Sequence, residues 1–257
     1  MQYDLAEDYK KRFELDAMFT EQMIKHMLNG IHKDSVDLID VGCSQGLLQK
    51  ILQGTNQEVR YTGVDKDPNI IALAQSVQTG KSHFYVGDCD ELPFENESFD
   101  LYFSRMLYDS QERVSERSID EMLRVLRDGG GFGLYFNNSV VPLCYPKPRH
   151  WEKFRRACTF IEELHGARFY QAYRYLLDRN VSSLDVHYVK KDSKIPGREA
   201  LRKYYIETNV ELQHDILVRS KLMTEKQLLE YTQDMEKLLF DDNSYIVYFQ
   251  IQLIGKK

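Results

Sequence analysis

The sequence predicts an α/β protein organised as a doubly wound, mostly parallel sheet. Three observations carry that expectation. Short apolar runs such as V-D-L-I-D-V (36–41) and V-R-Y-T-G-V-D (59–65) alternate with stretches of helix length. A turn of small residues, D-V-G-C-S-Q-G (40–46), overlaps the end of the first run. The next two runs are followed by acids, Asp65 and Asp88. Strands separated by helices of this length form βαβ units, whose helices cover both faces of a parallel sheet.

Each element follows from local chemistry. Residues 6–29 set Phe13, Leu15, Met18, Phe19, Met23, Ile24 and Met27 close to helical spacing, with Gly30 as C-cap, so one or two amphipathic helices open the chain. The first strand covers 36–41 and the helix after it 47–52. The second strand ends at Asp65. Pro68 then starts a helix to residue 76, because proline's fixed φ and missing N–H suit a first helical turn. The third and fourth strands are 83–86 and 99–104. A helix over 115–126 stops at D-G-G-G (128–131), and F-G-L-Y-F (132–136) makes a fifth strand. After Asn137 the pattern changes. Three prolines between 142 and 148 read as a stiff linker, 151–180 is largely helical, and a strand lies near 181–189. Residues 197–220 and 225–239 are helical, and 246–254 is a last strand. The expectation is a single domain over 1–257: N-terminal helices at 1–30, a core at 36–136, helical insertions at 139–180 and 197–239, and a terminal strand at 246–254.

Composition narrows the function. The chain of 257 residues is 42% hydrophobic and 12% aromatic, enough for one large core, and its 17 Tyr suit either a tyrosine-rich pocket or core packing. Net charge is −6, and the densest cations, Lys190, Lys191 and Lys194, enclose Asp192. Such a surface is poorly matched to a phosphate backbone, so no nucleic-acid partner is expected. Cys43, Cys89, Cys144 and Cys158 lie far apart with no C-x-x-C pair, which reads as reduced thiols and predicts no metal site. The first residues are charged with no apolar segment after them, and no run approaches the ~20 apolar residues that span a bilayer, so neither a signal peptide nor a membrane partner is expected. Cytoplasm is the expected address, as a monomer or homodimer.

The chemistry lies in four linked features. Gly42, Ser44 and Gly46 let backbone approach a ligand closely at a strand-to-helix turn, where N–H donors favour an anionic group. Asp65, about nineteen residues on, can accept two hydrogen bonds from a ribose diol. Asp88, in G-D-C-D-E-L-P-F, is placed to accept from an exocyclic adenine amine. The run S-F-D-L-Y-F-S leads to a loop at 104–109. All four fall at carboxyl ends of strands, where open α/β sheets bind ligands. Singly, each has an ordinary explanation: a tight turn, or a strand-end Asp capping a helix. A dinucleotide fingerprint fits less well, since the third glycine of G-x-G-x-x-G would fall on Leu47.

Taken together, 36–135 resembles a class I methyltransferase of the UbiE-like, type 11 kind. D-V-G-C-S-Q-G is similar to its first motif and G-V-D-K-D-P to its second. G-D-C-D-E-L-P-F-E-N-E-S-F-D-L-Y-F-S is similar to the family's adenine loop and fourth strand. E-M-L-R-V-L-R-D-G-G-G-F is similar to its next helix, glycine turn and strand. Two positions depart from the pattern: Ser44 replaces a glycine and Asp128 the usual proline. The resemblance implies a Rossmann-like sheet of seven strands whose last, 246–254, runs antiparallel, with helical lid insertions and an N-terminal lid. It implies S-adenosylmethionine as cofactor, held by Tyr9, Asp40, Gly42, Cys43, Ser44, Gly46, Asp65, Lys66, Asp88, Cys89 and Ser104. Tyr9 looks like the lid tyrosine at the methionine end, or else is an exposed helical tyrosine. Substrate contacts would fall to Tyr108, Trp151, His165 and Arg168, with Tyr108 and His165 as candidate catalytic groups and core packing as the alternative for Tyr108. The implied function is methyl transfer to a small-molecule substrate. A macromolecular acceptor (tRNA or protein) and a non-catalytic binding partner remain the alternatives.

Overall fold

Where β-branched and aromatic residues are bounded by glycine, proline and acids, the chain extends, and where the apolar period is 3.6 it coils. A computed structural model of the protein describes residues 5–110, 114–136, 143–165, 168–192 and 212–257. Its strands are β1 Ser35–Val41, β2 Glu58–Asp65, β3 Ser82–Val86, β4 Phe99–Arg105, β5 Leu126–Phe136, β6 Leu143–Tyr145, β7 Ser183–Asp192 and β8 Tyr245–Lys256. Its helices are α1 Leu5–Asn29, α2 Leu48–Leu52, α3 Pro68–Ser76, α4 Glu116–Val125, α5 Trp151–His165, α6 Arg168–Asp178, α7 Leu212–Arg219 and α8 Glu225–Phe240. The sheet order is β3-β2-β1-β4-β5-β8-β6, with β7 also paired to β8. β1 through β5 pair in parallel, and β8 runs antiparallel to β5, as expected.

Of the one or two opening helices expected there is one, α1. Two details differ from the sequence expectation. The glycines 129–131 do not end α4 in a free turn but lie within β5: Phe99 pairs with Leu126 while Leu101 pairs with Gly131, so the strand bulges between them. Glycine allows the bulge, because Gly129 takes φ +73° and a Cβ at Gly130 would come 2.7 Å from the Arg127 carbonyl oxygen. The proline-rich segment carries a short strand, β6, and a cis Tyr145–Pro146 bond, which brings the sheet to eight strands among the described residues. The helix expected from 197 is described only from Leu212, since 193–211 lie outside the described residues.

The chain divides into two compact units. The first comprises Met1–Phe136, Arg168–His187 and Ile251–Lys257. Its core joins the strands (Ile39, Val41, Val64, Tyr102, Leu134, Leu253) to α4 and α6 through Ile119, Met122, Phe169 and Ala172. The amino ends of its strands are clamped by charge: the Asp100 side chain accepts from the Asp37 backbone N–H at 3.0 Å and pairs with Lys33 and Arg127, while Arg60 grips Asp37 with two nitrogens. The second unit, Asn137–Ala167 and Tyr188–Gln250, is built around α5 and α8. Phe154 stacks on Tyr231 with ring centroids 4.1 Å apart, and Arg149 makes a two-pronged pair with Asp234 at 2.8 and 2.9 Å. α8 starts at a capping box, Thr224 with Gln227. Among the described residues no helix is long and apolar enough to cross a membrane.

Packing at β8 is tight enough to test. A Cβ at Gly255 would lie 2.3 Å from the Phe132 ring and 2.4 Å from the Ser183 carbonyl oxygen, and backbone cannot step aside as a side chain can. Gly255→Ala should therefore cost about 1–3 kcal/mol by overpacking, read as a lower midpoint in urea unfolding. An unchanged midpoint would contradict the geometry.

Candidate functional site

In the order β3-β2-β1-β4-β5, successive strands leave β1 on opposite sides, so the sheet's topological switch point lies between β1 and β4. Open sheets bind ligands in the crevice beyond the carboxyl ends there, since the connecting loops part to either side.

The turn after β1 is shaped by three left-handed residues: Gly42 at φ +78°, Ser44 at +49° and Gly46 at +70°. Two of these are glycine, for which such angles are free; serine is strained there and must be held. The Gly42 and Cys43 N–H groups donate to the Val64 carbonyl at 2.8 and 3.0 Å. The Ser44 N–H donates to Asp65 Oδ2 at 3.0 Å, and the Asp67 N–H donates to Oδ1 at 3.1 Å. Asp65 thus ties the end of β2 to the glycine turn. The glycines have packing reasons as well as ligand reasons: a Cβ at Gly46 would lie 2.3 Å from the Phe84 ring of β3.

The third strand adds its own turn. The Gly87 N–H donates to the Asp65 carbonyl at 3.0 Å, and the exposed Asp88 accepts from the Asp90 N–H at 2.9 Å. Half-buried Cys89 packs against the core, and Lys66 is exposed. The loop after Asp88 is strapped to α4. Glu121 accepts from the Leu92 N–H at 2.7 Å, and Arg124 donates to the carbonyls of Phe94 and Leu92 at 2.7 and 3.0 Å.

A buried polar group faces the switch point from both strands. Asp40, one residue before the end of β1, is almost wholly buried and accepts from the Tyr61 hydroxyl at 2.7 Å; burial pushes its carboxyl up to about 7, and the Tyr61 bond and Arg105 charge oppose the rise. Arg105 ends β4 and pairs with fully buried Asp16 of α1 at 3.1 Å. Neither Arg105 nor Asp16, nor the strap residues Glu121 and Arg124, stands among the sequence-based candidates. A signal for Asp16 existed: an acid on the apolar stripe of a helix.

Other candidates are placed as follows. Ser104 is buried in β4. Tyr108 is in the core of the first unit, stacked on Phe136 at 5.9 Å and accepting from the Ser118 hydroxyl at 3.3 Å, and burial raises its phenol well above the ordinary value. Trp151 is buried in the second unit, and Arg168 is half-buried at the start of α6. Tyr9 and His165 fall within α1 and α5, but their side chains lie outside the described part of the structure.

The residues present fit an adenosyl ligand. Two backbone donors occupy only part of the Asp65 carboxylate, which has about four acceptor sites in all. The Ser44 hydroxyl, next to it, is buried with no partner, and buried polar atoms are seldom left so without a reason.

Asp40 makes the site's stability depend on pH. Between the ordinary carboxyl value of 3.8 and about 7, the unfolded chain has lost this proton while the folded chain keeps it, so its contribution to stability falls as pH rises through that window. Asp40→Asn stays neutral throughout. Its melting temperature should therefore gain on that of the unsubstituted protein between about pH 4 and about pH 8; a gap that stays flat or narrows would contradict the assignment.

The family described as "Methyltransferase domain" matches residues 39–134. A malonyl-[acyl-carrier protein] O-methyltransferase of Hahella chejuensis (strain KCTC 2396) is 36% identical over 99 residues, 37% of this chain and 34% of that protein. A phthiotriol/phenolphthiotriol dimycocerosates methyltransferase of Mycobacterium leprae (strain TN) is 34% identical over 94 residues, 36% of this chain and 34% of that protein. The chain thus spans about a third of the length of these curated relatives. A solved structure from Anabaena variabilis ATCC 29413, described as a methyltransferase from an antibiotic biosynthesis pathway, shares the fold at a TM-score of 0.63 and 17% identity, over 93% of this chain and 96% of that one. By motif order and family match, residues 39–134 are similar to the methyltransferase domain family, and the sheet order is that of its Rossmann-like fold.

Proposed function

We propose that the chain is an S-adenosylmethionine-dependent methyltransferase acting on a small-molecule acceptor. The observation that carries this is the Asp65 carboxylate. It is fixed by the N–H groups of Ser44 and Asp67 and still has acceptor sites toward the crevice where a ribose diol would lie. The Gly42–Gly46 turn would approach the nucleoside, and Asp88 would accept from the adenine amine. Asp40, near the end of β1, would accept from the ammonium of the aminoacyl end, a cation that would favour its ionised form over the protonated one that burial favours. When bound, the cofactor supplies a methyl group on a sulfonium, a very good leaving group. The protein's share is then mainly to hold the acceptor in line and exclude water, and proximity can be worth roughly 7–11 kcal/mol.

The Tyr108 hydroxyl is a poor general base by this structure. It is buried, it accepts from Ser118, and its phenol is pushed up. We assign it to shaping the core behind the site, and leave Arg168, half-buried at the start of α6 in the same unit, as the candidate for an acceptor contact. The net charge of −6 disfavours a nucleic-acid acceptor, and the relatives are named for malonyl-[acyl-carrier protein], an acyl group carried on a protein, and for phthiotriol dimycocerosates. An acyl-bearing acceptor is the class to try first.

Titration calorimetry with S-adenosylmethionine tests the proposal: micromolar binding is expected, and Asp65→Ala should weaken it by about tenfold or more, since hydrogen bonds to a charged group are worth roughly 1.5–3 kcal/mol. No binding, or binding indifferent to Asp65, would refute it. Release of S-adenosylhomocysteine with acyl acceptors separates an enzyme from a protein that only binds the cofactor.

A further inference from the structure

We propose that Arg105 is a positioning residue for methyl transfer: paired with Asp16, it locks α1 across the carboxyl end of β4, and cofactor affinity depends on that lock. The inference rests on the proposed cofactor and concerns residues to which that proposal gives no role.

The buried stripe of α1 is Asp16, Thr20, Met23, Ile24, Met27 and Leu28, spaced as one helical face. Its two halves differ. The later half is apolar and fits the sheet closely: Met23 and Met27 occupy the space over Gly133 of β5, where a Cβ would lie 2.7 Å from Met23 Cε and 2.5 Å from Met27 Sδ. The chain leaves α1 at Asn29 and enters β1 at Ser35, so this half lies toward the amino ends of the strands and Asp16 toward their carboxyl ends. The earlier half puts polar groups where apolar ones would pack as well. Thr20 Oγ1 is buried with no partner, and Asp16 is fully buried.

A buried carboxylate is costly unless paired, and the pair rarely holds a fold better than well-packed apolar residues would. Docking of α1 therefore does not explain Asp16; its location does. Asp16 Oδ2 lies 3.1 Å from Arg105 Nη1, and the guanidinium sits 5.3 Å from the centre of the Phe13 ring, so one turn of α1 brackets it. The same guanidinium bears on Asp40 of the neighbouring strand, opposing the rise of its carboxyl, and on Tyr135 of β5. Asp16 and Asp40 thus flank Arg105, the first as a paired carboxylate and the second as an acid that burial keeps largely protonated below about pH 7. Arg105 closes the crevice with α1 on one side and balances the acid on its floor on the other.

The test is calorimetric titration with S-adenosylmethionine and amide hydrogen exchange of α1, on Asp16→Asn, Arg105→Gln, the double variant and Arg105→Lys. Each neutral single variant should bind about tenfold more weakly or worse, as expected for a buried charged pair. The double should lose no more than the worse single, because the two residues act as one unit. Exchange over residues 10–20 should quicken, and Arg105→Lys should recover part of the affinity. If Arg105→Gln does not fold, Asp16→Asn and Arg105→Lys carry the comparison. Variants whose α1 exchanges faster while affinity stays within twofold would overturn the inference and leave the pair a structural one. An unsubstituted protein that binds no cofactor would instead refute the proposed function, and this inference with it.

Discussion

The carboxylate of Asp65 is the constraint on which the rest of the site depends. It ends β2, takes the N–H of Ser44 on one oxygen and that of Asp67 on the other, and so fixes two turns from one point. The first turn holds a serine at φ +49°, a conformation that L-residues other than asparagine and aspartate rarely adopt without support. The second places Asp67 to cap α3 by accepting from the Asn69 N–H at 2.8 Å. The Val64 carbonyl, one residue earlier, accepts two further N–H groups from the glycine turn. A strained loop persists only when its surroundings over-determine it, and here the end of a central strand does so.

That arrangement needs a rigid base. The amino ends of β1 and β4 are tied by the Asp37–Asp100–Arg127 cluster, with Lys33 and Arg60 completing it. Arg60 is well exposed, so its pair adds little by itself. Asp100 is buried and satisfied by three partners, so its loss would leave cations facing one another. Clamping one edge leaves the opposite edge free for loops whose residues are chosen for chemistry rather than for packing.

How much of the molecule is legible in its sequence depends on this division. Periodicity marks β1 through β4 and α3 to within about a residue, because turns of glycine, proline or acids bound them. The bulge in β5 is not legible: three glycines read equally well as a helix stop, and only the pairing of Leu101 with Gly131 distinguishes the two. β6 is hidden by prolines that argue for a linker. In the site, Asp65, Asp88 and the glycine turn are legible because their spacing along the chain mirrors their spacing on the sheet. Asp16 and Arg105 are not, since they are 89 residues apart and only the fold brings them together. From its place after β4, Tyr108 reads equally as a pocket residue or as core packing; it begins the 3₁₀ turn Tyr108–Ser110 and lies in the core.

Buried ionisable groups are weak evidence for stability and strong evidence for a task. Asp40 accepts from the Tyr61 hydroxyl, and burial outweighs that bond. An apolar residue at that strand end would extend the run of Val36, Leu38 and Ile39 and avoid the desolvation cost altogether. The same holds for Asp16 on the face of α1. Both acids sit where the sheet order reverses, and the cation between them comes from the strand on the other side of the reversal. A fold selected for stability alone has no reason to gather such groups at one edge of the sheet. A crevice that must admit a charged nucleoside, with water excluded, has one: groups that are costly while the crevice is empty are the ones whose energy can be recovered when a ligand of complementary charge enters.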